Sequence, residues 1–151
     1  MAITSGNLSV HEVTSPKELH DIWPRIREGL NAIRNKCPLV VEMPEDAYYD
    51  LKTGKTKLLV ATIDECYEGF MILTETHEVD GLGLLVTHVH NAGEDKLFIA
   101  NLLTTVKDFV TLMHYTRVTF AITRKGWTAA LGRLSLGPSY QTILHTIEAY
   151  Q

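Results

Sequence analysis

The segment spanning residues 82–117 constrains the fold of this chain more than any other. It reads LGLLVTHVH, then NAGED, then KLFIANLLTTVKDFVTLMHYTR: a strand, a short connection and a long amphipathic helix. Ile99, Leu102, Leu103, Val106, Phe109, Val110 and Met113 recur at three- and four-residue steps. Asn101, Thr104, Thr105, Lys107, Asp108 and Thr111 fill the opposite side. A helix with one apolar stripe must bury it against another layer, here a sheet. A strand that runs into a helix start is also a common anion site, because backbone N–H groups are free there. In this chain Glu94 and Asp95 stand at that position instead of glycines.

The flanking elements follow from local signals. Residues 1–7 read as a flexible tail, and residues 8–13 alternate as a first strand. Ser15-Pro16-Lys17-Glu18 is a helix start, with Ser15 as N-cap, Pro16 at the first helical position and Glu18 at the third. Leu19, Ile22, Trp23, Ile26, Leu30 and Ile33 share one face of that helix, Pro24 interrupts it, and Cys37-Pro38 ends it. Pro44-Glu45-Asp46 opens a shorter helix that closes near Gly54. Residues 57–63 (KLLVATI) and 67–77 are strand-like runs separated by Asp64-Glu65. Asp80-Gly81 is a hairpin signal between the second of these runs and residues 82–90. Residues 118–123 form a further strand, 127–136 a short helix stopped by Gly137-Pro138, and 141–150 a last strand. The order β-α-α-β-β-β-α-β-α-β predicts a single α+β domain over residues 1–151. Its central sheet is mixed, mostly antiparallel, of six to seven strands, with helices on both faces.

Composition narrows the function classes. The formal net charge is −4, and Arg25, Arg27, Arg34 and Lys36 are spread along one helix among acids. Nucleic-acid binding needs a concentrated positive surface, so none is expected. Cys37 and Cys66 make no disulfide framework and no metal-ligand spacing. The N-terminus has no signal-peptide pattern, and no apolar run reaches the roughly 20 residues that span a bilayer. A cytoplasmic protein without a membrane partner is the expectation.

The succession of elements resembles the GNAT fold, the acetyl-CoA-dependent N-acetyltransferase superfamily, over nearly the whole chain. Members of that family carry an Arg/Gln-x-x-Gly-x-Gly/Ala segment before the central helix, whose backbone N–H groups hold the cofactor's pyrophosphate. Setting the family's helix start on ANLL at residues 100–103 places Glu94 at the cation position and Leu97 and Ile99 at the glycine positions. One gap brings Asn91-Ala92-Gly93 into the loop and supplies one glycine. Many members also place a tyrosine four residues before the glycine of a Leu-Gly-Phe turn, as acid for the departing thiolate. The matching stretch here is Arg133-Leu134-Ser135-Leu136-Gly137-Pro138, with arginine at the tyrosine position. Arginine does not give up a proton at neutral pH. The motif-poor chain is also similar to GNAT-like proteins that bacteriophages encode, which implies a virion or accessory protein and a location in the host cytoplasm or the virion.

Several residues could carry chemistry. His88-x-His90 puts two imidazoles on one strand face. With Asp80-Gly81 as a two-residue turn, Leu73 faces His88, Met71 faces His90, and Glu75 and His77 share their side. Two histidines without a third fixed ligand do not define a metal site. Glu75 is a candidate general base for an amine, and Tyr140 is the candidate acid. The resemblance makes His88, Val89, His90, Asn91, Gly93 and Lys96 the residues that would hold acetyl-CoA. Gly-Lys-Thr at residues 54–56 lacks the upstream glycines of a phosphate loop. Two expectations result. The first is a catalytically degenerate GNAT-like domain, without cofactor, acting through a protein partner or self-association. The alternative is a divergent acetyl-CoA-dependent N-acetyltransferase acting on an amine.

Overall fold

The computed structural model describes residues 2–5, 7–36, 42–79, 81–93, 97–122 and 141–146. The expected helix at residues 127–136, together with Cys37, Glu94, Asp95, Lys96, Arg133 and Tyr140, lies outside them. The elements in chain order are β1 (Ala2–Ser5), β2 (Leu8–Glu12), α1 (Pro16–Lys36), α2 (Pro44–Thr53), β3 (Lys57–Ile63), β4 (Cys66–Glu78) and β5 (Gly81–Asn91). After these come α3 (Phe98–Leu112), β6 (Arg117–Ile122) and β7 (Gln141–Thr146). The strands form one mixed sheet in the order β1-β2-β3-β4-β5-β6-β7. Pairing is antiparallel from β1 to β5 and parallel for β5 with β6 and β6 with β7.

The N-terminus departs from the tail expected at residues 1–7. Ala2–Ser5 pairs with β2 from Ala2↔His11 to Ser5↔Leu8. That register leaves two residues between the strands, and Gly6-Asn7 is a two-residue hairpin composition.

Each face of the sheet buries one core. On one side Leu59, Ala61, Met71, Leu73, Leu84 and Val86 pack under Leu102, Leu103, Val106 and Val110 of α3. On the other, Leu58, Val60, Phe70 and Ile72 pack under Leu19, Ile26 and Leu30 of α1 and Ala47 of α2. The α3 stripe follows its periodicity with two exceptions. Thr105 is buried, its hydroxyl donating to the Asn101 carbonyl at 2.9 Å, whereas Met113 lies past the helix end and is exposed. α1 runs through Pro24, which sits on the exposed face, where water can take the bond that the ring forgoes. Its start follows the capping signal, with the Glu18 N–H donating to Ser15 Oγ at 3.0 Å. The Glu18 carboxylate does not close a capping box; it reaches His11 Nε2 at 2.8 Å.

Two β-bulges set the geometry of one end of the sheet. On β4, Ala61↔Gly69 is followed by Thr62↔Tyr67, so Glu68 has no opposite residue. On β5, Ile72↔His88 is followed by Leu73↔Val86, so Thr87 has none. An unpaired residue bends a strand and exchanges which side chains face which layer beyond it.

Candidate active site

The Thr87 bulge corrects the expected placement of the histidines. The hairpin pairs Glu78 with Gly81, so the turn lies one position earlier than Asp80-Gly81 and the register differs by two residues. A shift of two leaves every side chain on its face. The bulge does not: Leu84 and Val86 face α3, but His88 and His90 beyond it oppose Ile72 and Phe70 and face α1 and α2. Glu75, opposite Leu84, stays on the α3 face. Glu75 and the two histidines therefore do not form one site.

The bulge also marks the point where two strands part. β5 and β6 pair in parallel from Gly83↔Arg117 to Val86↔Phe120. β5 continues to Asn91 and β6 to Ile122, and β6 pairs with β7 along its other edge from Arg117 to Ile122. Among the described residues β5 and β6 thus part after Val86↔Phe120, which opens a wedge. The edge of a strand at such a wedge can take an extended ligand as it would a further strand.

His88 lies at the mouth of this wedge on the α1 and α2 side, with only 9% of its surface exposed. Its Nδ1 is 2.9 Å from Thr87 Oγ1, and Thr87 Oγ1 is 3.2 Å from the Ile72 carbonyl. The carbonyl can only accept, so the hydroxyl donates to it and accepts from an Nδ1–H. That tautomer leaves Nε2 with its lone pair free. Nε2 points toward Glu42 Oε2 at 3.7 Å, beyond a direct hydrogen bond. Burial pushes the His88 imidazole below its ordinary range. Burial, and then the nearby Asp50 and Asp46 carboxylates, push the Glu42 carboxyl above its own, against a smaller opposing effect of Lys55. Both trends favour the uncharged forms. Leu30, Arg34, Met43, Pro44 and Ala47 complete a narrow crevice around the pair. The Arg34 Nε atom is buried there without a hydrogen-bond partner among the described residues.

The connection after β5 is held by the other bulge. The Glu68 carbonyl accepts from Ala92 N–H at 2.8 Å and from Gly93 N–H at 3.2 Å, and Gly93 N–H also reaches Asn91 Oδ1 at 3.1 Å. The Glu68 carboxylate lies against Gly93, where an added Cβ would sit 1.7 Å from Oε2. Gly69 seats the start of α3: a Cβ there would be 2.1 Å from the His90 carbonyl oxygen and 2.7 Å from Phe98 Cζ. The α3 N-cap, Leu97, gives no side-chain hydrogen bond to the helix, and the first turn carries no acid. The two glycine-loop amides are already engaged, beside a carboxylate.

The remaining candidates divide by position. Glu75 accepts from the Tyr115 hydroxyl at 2.5 Å and meets Lys57 at 3.5 Å, and Lys57 meets Glu12 at 3.4 Å. This cluster ties the segment after α3 to the sheet at the end away from the wedge. The Tyr115 bond holds the Glu75 carboxyl below its ordinary range, the reverse of what a general base needs. His90 packs on the Phe70 ring at 5.7 Å, under α1, where a Cβ on Gly29 would be 2.7 Å from His90 Cδ2. Val89 packs on the α3 side. No group of three or more His, Cys, Asp or Glu able to hold a metal occurs among the described residues. Glu42 escaped sequence reasoning because it sits between two helices, without periodicity or motif, and reaches His88 only through packing.

No protein-family model matches the sequence, and no curated protein is similar to it at the sequence level. Solved structures share the fold. A ribosomal-protein-alanine N-acetyltransferase from Brucella melitensis biovar Abortus 2308 superposes with a TM-score of 0.62 at 14% identity, over 84% of this chain and 87% of that one. A predicted acetyltransferase with acetyl-CoA from Clostridium acetobutylicum gives 0.59 at 6% identity, over 83% and 87%. An aminoglycoside acetyltransferase from an uncultured soil metagenomic sample gives 0.60 at 11% identity, over 89% and 90%. The chain therefore has the α+β fold of the GNAT acetyltransferases. No helix among the described residues is long and apolar enough to cross a membrane.

Proposed function

We propose that this chain is a divergent acyl-CoA-dependent N-acyltransferase acting on an amine. One observation carries the reading: parallel pairing of β5 and β6 stops at Val86↔Phe120, and the Thr87 bulge turns β5 away from there. The wedge lies beside buried His88 and the partly exposed Glu42, on a fold shared with solved acetyltransferases. On this reading the extended arm of an acyl-CoA lies along the strand edge after Val86, and its phosphates face the start of α3. When bound, the thioester supplies an activated acyl group. At the diphosphate end the fit is opposed, where Glu68 stands. Isothermal titration with acetyl-CoA, with free CoA as control, tests the reading. Micromolar binding is the expected result, and no heat at millimolar ligand with a folded protein sinks it.

A second reading, a degenerate domain that works through a protein partner, is favoured by the Glu68 clamp on Ala92 and Gly93. It expects no acetyl-CoA binding by the wild-type protein and none after Glu68 is neutralised. A bacteriophage origin has no support in the fold or in the structures that share it.

A further inference from the structure

We infer that His88 is the proton acceptor for the incoming nucleophile, with Nε2 as the basic atom and Thr87 as its positioning residue. The inference rests on the acyltransferase reading and deepens it. Three features point the same way. The bulge delivers His88 to the α1 and α2 side of the wedge instead of into the α3 core. The chain from Ile72 carbonyl to Thr87 hydroxyl to His88 Nδ1 fixes the ring and its tautomer. The freed Nε2 lone pair and Glu42 Oε2 then stand 3.7 Å apart. That is too far to bond each other, and a nitrogen set off the line between them reaches both.

A primary amine fits this pair best. One N–H would donate to the Glu42 carboxylate and another to His88 Nε2. With Glu42 ionised, an ether or a carbonyl, which only accepts, would meet two acceptors. The crevice does not admit a water-sized guest in this structure, so the acceptor enters as a wall moves. Glu42, with 37% of its side chain exposed at the rim, is the wall that can turn. In the transfer, the amine nitrogen forms the new bond to the thioester carbonyl carbon. The carbon–sulfur bond breaks, and the electron pair leaves with the thiolate. The amine proton passes to His88 Nε2, and from the imidazolium to the thiolate or to water.

Two measurements test the assignment. Nitrogen-15 shifts of the His88 imidazole, assigned by its loss in H88Q, report the tautomer without any ligand. The neutral ring is expected as Nδ1–H in wild type and in T87S, and as a mixture or Nε2–H in T87V. A wild-type ring protonated on Nε2 overturns the inference. The second measurement is acceptor-free release of CoA thiol from acetyl-CoA, in which water takes the place of the amine, and it needs no known substrate. H88Q should release thiol about a hundredfold more slowly, within the range set by general base catalysis. Its acetyl-CoA affinity should stay within twofold of wild type. T87V, which leaves the imidazole in place, should lose at least fivefold. Release by H88Q within threefold of wild type overturns the inference, as does wild-type release no faster than in buffer despite bound acetyl-CoA. A wild-type protein that binds no acetyl-CoA overturns the acyltransferase reading itself, and this assignment with it.

Discussion

Glu68 is the residue to perturb first, because the structure sets it against the anion it would have to tolerate. Its carboxylate lies over Gly93, at the connection between β5 and α3. A phosphate drawn to that connection would lie on the order of 5 Å from the carboxylate. Two unit charges at that separation repel by about 1 kcal/mol in bulk water and about 3 kcal/mol at an effective dielectric constant near 20. Glu68 is half-buried at the edge of the loop, so the lower part of that range applies. Glu68→Gln removes the charge and keeps the side-chain length. The Glu68 carbonyl still accepts from Ala92 and Gly93, so the loop keeps its clamp. Acetyl-CoA should bind about five- to tenfold more tightly to E68Q than to wild type, measured by calorimetry at low ionic strength. A screened repulsion fades as the Debye length falls to about 3 Å near 1 M salt, so the gain should shrink to under twofold there. Equal affinities at low salt would refute the reasoning. So would a gain that salt leaves unchanged, because packing and not charge would then be its source.

Three further outcomes follow from packing and titration. Gly69→Ala drives a Cβ into the His90 carbonyl and the Phe98 ring, and neither can retreat without moving β5 or α3. Overpacking of this kind costs about 1–3 kcal/mol, so thermal unfolding should show a melting temperature lowered by several degrees. Tyr115→Phe removes a hydrogen bond to a carboxylate, and with Glu75 partly exposed the loss should be about 1 kcal/mol at neutral pH. Tyr115 depresses the folded-state Glu75 pKa, so its contribution is present above the unfolded carboxylate pKa and lost as pH falls through the folded value. The wild-type advantage over Y115F in urea unfolding should therefore hold at pH 6 and vanish toward pH 3. Ser15→Ala deletes the N-cap of α1 and should cost about 1 kcal/mol in the same assay, against Ser15→Gly at a few tenths.

What could be read from the chain alone was what depends on neighbours in sequence. The Ser15-Pro16 start, the Pro44 start and the Gly54 stop of the first two helices are local chemistry, and the structure places them there. So is the turn at Asp64-Glu65, where both residues adopt positive φ. The α3 stripe held except at its end, because Met113 comes after the helix has stopped. The bulges were not legible. Thr87 carries no sign of its bulge, and beside Glu68 only Gly69 hints at one, since each arises from how two distant strands share a register. That one missing residue of pairing moved His88 and His90 to the opposite face and separated them from Glu75. Glu42 was hidden for a related reason, its role depending on where α2 docks.

The two bulges act in opposite senses on the same end of the sheet. The Thr87 bulge opens the wedge and delivers an imidazole to its mouth. The Glu68 bulge aims a carbonyl and a carboxylate at the connection beyond it, occupying the amides that a diphosphate would otherwise use. A domain kept only for binding a protein has no need of a buried histidine. Taking His88 out of water costs stability, and an apolar side chain of similar volume would be easier to bury. An enzyme has no need of an acid at its phosphate loop unless its donor is gripped chiefly elsewhere. On the acyltransferase reading, the strand edge after Val86 is that elsewhere. Catalysis gains from groups held ready at the reacting atoms more than from tight uniform binding of the donor. A weakly gripped donor beside a fixed, correctly protonated base is consistent with that division of labour. On that ground the acyltransferase reading, with a modest affinity for acetyl-CoA set by Glu68, accounts for both bulges, where the partner-binding reading accounts for one.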